Sequence, residues 1–225
     1  MTVTKAKKDL PETYRPIISS DIIPSPSKNT KLTEKKQAQI VEAACNLFFK
    51  KGFHGTSIRE IADESGMSMG QLYHYISSKD DILFLVAKHM QEMFYERLVE
   101  VGLEKIQDPL AKFIKALRLS IEFPNRHKKL IQFIFTEAKY LGQKHLDIIL
   151  KMDDINLSGF FQKLLEEVNE KYPVNYNLEQ AARYIIYITA FTALKGWSVK
   201  QWSVEDNVDF QIRFILNGLG LPHDE

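Results

Sequence analysis

The sequence predicts an all-α protein of about nine helices. Apolar residues recur three and four apart throughout, the period of a helix face packed on a core. Five segments open on Ser or Asn with an acid or amide three residues later, a pairing that satisfies the free N–H groups of a helix start. No stretch alternates polar and apolar residues as a half-buried strand would, and no internal repeat is present.

With 225 residues, 44% hydrophobic and 26% charged, the chain can bury a core without disulfides or a structural metal. Cys45 is the single cysteine, so no intrachain disulfide forms, and Ala43 and Ala44 beside it favour a small buried side chain over a reactive thiol. The first residues lack the apolar core of a signal peptide and no later run has the length of a membrane span, so a cytoplasmic protein without a membrane partner is expected. The net charge of +1 is unevenly spread, because residues 1–36 carry eight basic against four acidic side chains. Pro11, Pro16, Pro24 and Pro26 fall there too, so residues 1–32 read as a flexible basic arm, either a tail without a role or one that touches phosphate.

From Thr33 the helical period sets in, and Ile40, Ala44, Leu47 and Phe48 share one face up to Gly52, a helix of about eighteen residues. After "GFHGTS", Ser57 and Glu60 cap a second helix that runs to about Ser65, where Gly66 supplies the positive φ of a sharp turn. Ser68 and Gln71 open a third, "MGQLYHYI", only two turns long. Ser78 and Asp81 open a fourth, whose stripe of Ile82, Val86, His89 and Met93 continues to about Val101.

Beyond "GLEKIQDP", Asp108 and Pro109 start a helix expected to end before Pro124, and Asn125 opens one that stops at Gly142. A single helix is then expected through "QKHLDIILKMDDINLSGFFQKLLEEVNEKY" to Pro173. Asn177 and Gln180 cap the segment to about Val199, and Ser203 and Asp206 cap the last helix, which is expected to end at Gly218.

The closely spaced helix starts between Ser57 and Leu83 carry the chemistry. Ala62 is small enough for two helices to approach, Gly66 makes the turn and Leu72 plugs the shared core, as a helix-turn-helix requires. Ile58, Ile61, Met67, Leu72 and Ile76 then point inward and leave Met69, Gly70, Gln71, Tyr73, His74 and Tyr75 outside or at the rim. An N-capped helix of that length, with aromatics, a histidine and a glycine on its outer face, suits insertion into a DNA major groove.

The stretch "TSIREIADESGMSMGQLYHYISSKDDIL" resembles the DNA-binding segment of the TetR family of bacterial transcriptional regulators, whose pattern is close to T-x-x-x-I-A-x-x-x-G-V-S-x-G-x-L-Y-x-H/Y-F-x-S-K-E-x-L. The match covers roughly residues 35–85, with Ile76 in place of the usual Phe and with Met69 and Gln71 at variable positions. The resemblance implies domains at 33–82, a three-helix DNA-binding head, and 83–225, an effector-binding and dimerisation body. It implies phosphate contacts from Thr56 and Ser57, and guanine reading by Arg59. Base-edge contacts are implied for Ser68, Met69, Gly70 and Gln71, with Gln71 suited to adenine, and backbone contacts for Tyr73, His74, Tyr75 and Lys79. The implied partners are a double-stranded DNA operator, a second copy of the chain and a small hydrophobic effector; no cofactor or metal is implied.

The body agrees in composition. "AARYIIYITAFTALKGW" is apolar almost all round, as a helix between a pocket and a dimer partner would be, and Phe210, Phe214 and Ile215 give the last helix an apolar face. Polar residues interrupting apolar stripes nominate an effector site: Glu137 and Tyr140 after Phe133, Asp153 on a stripe with Phe160, and Arg183 on a face with Tyr187. Among these Arg183 is the natural match for an anionic group on a fatty acid or acyl-CoA.

Other classes fare worse. The sequence has no HExxH, P-loop, GxSxG or GxGxxG feeding a βαβ unit, and His127 and His145 lack neighbours at metal-ligand spacing, so an enzyme is not expected. A DNA-binding protein without sequence preference remains the alternative within the same chemistry.

Overall fold

The computed structural model describes residues 30–223, with no strand among them. The α-helices are α1 (Thr30–Lys51), α2 (Ile58–Glu64), α3 (Met69–Tyr73), α4 (Lys79–Glu100), α5 (Pro109–Arg126), α6 (Lys128–Glu137), α7 (Gln143–Met152), α8 (Gly159–Asn169), α9 (Leu178–Lys195) and α10 (Val204–Leu219). A π-helical turn at Asp153–Ser158 joins α7 to α8 without a break, so the described residues form nine separate helical rods, the number expected. The arm expected at 1–32 lies outside the described residues as far as position 29, and α1 begins at Thr30, three residues before the expected start.

The five starts form as the local chemistry demands. Ser57, Ser68 and Ser203 each complete a reciprocal capping box, Asn177 accepts the Gln180 N–H at 2.8 Å, and Ser78 and Asp81 exchange bonds of 3.2 and 3.0 Å.

Several boundaries differ from expectation: Asn125 lies within α5, so the next helix runs Lys128–Glu137 rather than from Asn125 to Gly142, and α9 ends at Lys195 rather than near Val199. Pro124 lies inside α5, which ends only at Arg126; its ring is buried, and that burial offsets the one N–H it cannot donate near the helix end. Gly218 is an ordinary helical residue, and the helix stops at Gly220, whose φ of 69° gives the left-handed cap. The helix expected from Gln143 onward widens into the π turn at its middle.

The described chain forms two compact units, and the division departs from a single cut at residue 82. The first holds the residues up to Met93 together with Gln132–Lys151. Ile40, Ala44, Leu47 and Phe48 from α1 meet Ile61, Ala62, Leu72, Ile76 and the Ile82–Ala87 stretch of α4 in its core. Phe133 of α6 joins that core, stacked on Phe48 at 5.0 Å between ring centroids.

The second unit holds Phe94–Ile131 and the residues from Met152 onward. There α5 packs against α8, α9 and α10, burying Phe113, Leu117, Phe161, Leu164, Val168, Ile185, Ile212 and Ile215. Arg118 forks to Glu205 at 2.9 Å and Asp209 at 2.5 Å, tying α5 to α10. No helix among the described residues is long and apolar enough to cross a membrane.

Candidate nucleic-acid interface

The interface is built from its two capping boxes outward. Ser57 donates its N–H to Glu60 Oε2 at 2.8 Å and takes the Glu60 N–H on its hydroxyl at 3.2 Å, which fixes the start of α2. Lys51 closes on the same carboxylate, and this ammonium together with the Ser57 donors holds Glu60 down at about 2. The turn after α2 passes through Gly66 at φ +67°, and the Met67 N–H bonds back to Ala62 O at 2.9 Å. Ser68 and Gln71 then cap α3 with bonds of 3.0 and 3.2 Å. Leu72 is wholly buried beneath, so the outer face of this short helix cannot roll.

That outer face carries Met69, 36% exposed, Gly70, Gln71, Tyr73, 50% exposed, and His74. A Cβ built on Gly70 meets nothing within 4 Å, and Gly70 is absent from the residues with positive φ, so the fold itself has no need of glycine there. Arg59 stands exposed on α2 beside this face in sequence, as a side chain able to reach outward must. Lys79 lies over the Phe53 ring at 4.4 Å, and its partial burial lowers its pKa.

Two expected contacts are corrected. Thr56 is only 1% exposed and its hydroxyl donates to Gly52 O at 2.9 Å, so it closes the end of α1 and is not presented to phosphate. Tyr75 is 9% exposed, with its ring edge-on to His74, so it faces the core rather than the rim. Gln71 also changes meaning: its Oε1 accepts the Ser68 N–H, which leaves its amide N–H₂ as the group turned outward and removes the free O/N pair that a bidentate adenine contact needs.

The residues nominated for an effector are divided between the two units. Phe133, Glu137 and Tyr140 belong with the head: Phe133 is in its core, Glu137 contributes to the field at Lys79, and Tyr140 packs edge-on to His54 at 4.3 Å. Asp153, Phe160, Arg183 and Tyr187 belong to the other unit. Phe160 is buried among Phe94, Tyr95 and Phe161. Asp153 opens the π turn, where burial, with Asp154 adding, raises its carboxyl to about 6. Arg183 is exposed and already holds Asp154 and Glu179, so it is not a buried anchor for an anionic group, and Tyr187, four residues further along α9, is exposed too.

Two features escaped the sequence reading. The buried Tyr95 donates its hydroxyl to Asn156 O at 2.5 Å, inside the π turn, and burial pushes the phenol's pKa up. Tyr176, just before α9, lines with Tyr184 and Ile188 of α9 and Phe214 and Leu219 of α10 an open groove of about 360 Å³, and Tyr187, Phe191 and Phe210 are exposed on the same two helices. The apolar surround of "AARYIIYITAFTALKGW" was the available signal for that groove.

Residues 40–86 match the family model described as bacterial regulatory proteins, tetR family. Over 191 residues the chain is 24% identical to the HTH-type transcriptional regulator HbdR of Aromatoleum sp. (strain CIB), covering 84% of this chain and 80% of that protein. It is 29% identical over 166 residues to the fatty acid metabolism regulator protein of Bacillus subtilis (strain 168), covering 72% of this chain and 83% of the relative. Among solved structures, AibR in complex with isovaleryl coenzyme A and operator DNA superposes with a TM-score of 0.61 at 19% identity, over 79% of this chain and 96% of that one, which shows a shared fold.

Proposed function

The chain belongs to the tetR family of bacterial regulatory proteins, and we propose that it is a repressor that grips a pseudo-palindromic operator as a homodimer and lets go when a small hydrophobic effector binds. As a family member it is a transcriptional regulator and not an enzyme. The observation that carries the proposal is the outer face of α3, held immobile by its cap and by Leu72 yet presenting Met69, Gly70, Gln71 and Tyr73 to solvent. In the major groove, Arg59 pairs with guanine, Met69 packs on thymine methyls and the Gln71 amide donates to an acceptor edge. Ser57, Tyr73, His74 and Lys79 hold the phosphates that set the register, with Ser68 beside Met69 and Gly70 at the base edges.

The homodimer reading is supported by the exposed aromatics of α9 and α10, a patch that a solitary chain would leave wet, and by the two-fold logic of half-sites one helical turn apart. The effector reading is supported by the aromatic cluster of Phe94, Phe123, Phe160 and Phe161 and by two comparisons. One relative is named for fatty acid metabolism, and one protein of the same fold was solved with an acyl thioester. Asp153 and Phe160 remain the nominated lining. The effector is of the fatty acid or acyl-CoA class, and its binding favours a spacing of the two heads that no longer fits successive major grooves. The protein works in the cytoplasm, where its operator lies.

Nuclease protection across the DNA upstream of the protein's own coding region tests this reading. Two protected half-sites about ten base pairs apart, lost on adding an acyl-CoA, are expected. Uniform protection without boundaries would instead identify a binder with no sequence preference.

A further inference from the structure

Between α6 and α7 the chain turns through Ala138–Tyr140 and is pinned to the head. The Gly142 N–H donates to Asp80 Oδ2 at 3.0 Å, and His145 Nε2 lies 2.7 Å from Asp81 Oδ1, so the first turn of α4, which carries Lys79, and this segment move as one. Phe133 on Phe48 anchors the other end.

The tip of the turn is not core. Tyr140 is 47% exposed, and Lys139 Nζ stands 4.9 Å from the centre of its ring. The Tyr140 ring meets His54 edge-on, His54 meets Phe53 edge-on at 5.4 Å, and Phe53 carries Lys79 on its ring. Three rings therefore form a ladder with an ammonium at each end. His54 is three residues before Ser57, and the ladder links Lys79, a residue of the proposed interface, to the turn at Ala138–Tyr140.

A cation held over an aromatic face keeps its full charge while its position is fixed, whereas a cation in an ion pair must give up its partner before it meets phosphate. Lys51 is of the second kind, engaged with Glu60; among the described residues Lys139 forms no ion pair with a carboxylate. Glu137, half-buried two residues before Lys139, adds negative field near Lys79.

We propose that Lys139, with Tyr140 and His54 beneath it, is a phosphate-binding site outside the helix-turn-helix that extends the footprint on duplex DNA past the bases each head reads. This rests on the DNA-binding reading above. The contact is to backbone, so it strengthens binding to any duplex equally and carries no sequence preference.

The test is titration of the full-length protein, over a range of salt concentrations, with its upstream DNA and with an unrelated duplex. Lys139→Ala should flatten the plot of log affinity against log salt by about one unit of slope and weaken both duplexes about five- to tenfold near 0.1 M salt. Lys139→Arg should restore the wild-type slope, and the thermal midpoint of both variants should match wild type. Lys200→Ala removes an exposed charge from the other unit and serves as the control. A Lys139→Ala protein indistinguishable from Lys200→Ala overturns the inference and leaves the repressor reading intact. A wild type that binds every duplex alike, with the slope still lowered by Lys139→Ala, upholds the inference and overturns the repressor reading; a wild type that binds no DNA overturns both.

Discussion

At Gly70 the needs of the fold part from those of the proposed DNA contact. Its backbone is ordinary and the space around it is open, so Gly70→Ala should stabilise the head by about 0.5–1 kcal/mol through helix propensity while weakening operator binding. Urea unfolding and a DNA titration of the same sample check both halves, and unchanged DNA affinity would show that no duplex approaches there. Asp153 yields a pH prediction. Its carboxyl is raised to about 6 from 3.8, so between those values the folded chain holds a proton the unfolded chain has lost, and stability falls as pH rises through that window. Asp153→Asn should therefore be more stable than wild type above pH 6, with the difference closing as pH falls below 4 in denaturant melts. At this scale the capping residues were legible because a cap is local chemistry between side chains three apart. Thr56, Tyr75 and Arg183 were not, because whether a side chain faces core or solvent depends on contacts with Gly52, His74, Asp154 and Glu179 that spacing alone does not specify.

The helices show the same division between local and distant causes. Five starts came from readable pairs, whereas the start expected at Asn125 was lost because the run through Pro124 depended on burial of its ring, and the stop at Gly220 rather than Gly218 depended on which glycine took the left-handed cap. That the Gln132–Lys151 segment belongs with the head was illegible, since it rests on Phe133, Gly142 and His145 meeting residues more than sixty positions earlier. Two element-level outcomes are expected. Phe214 is exposed in the single chain, so Phe214→Glu should leave each protomer folded yet shift the species in solution from dimer to monomer and weaken operator binding; light scattering showing an unchanged dimer would remove α9 and α10 from the interface. Tyr95→Phe deletes the buried bond to Asn156 O in the π turn and should cost about 1–2 kcal/mol of stability, read by urea unfolding.

For the whole molecule, a net charge of +1 is a weak general attraction for DNA, so affinity has to come from localised contacts on the head. In the proposed account the Lys79 and Lys139 ammoniums, the Ser57 and Ser68 caps and the exposed face of α3 are those contacts, and a dimer would double them across two half-sites. The central claim is that this assembly reads sequence rather than charge. The most direct test is the dissociation constant of the purified protein for its own upstream DNA and for an unrelated duplex of equal length, each at low and at physiological salt. The account predicts a preference for its own region of roughly 10³-fold or more that survives the rise in salt while binding to the unrelated duplex collapses. Equal affinities that fall together with salt would contradict it.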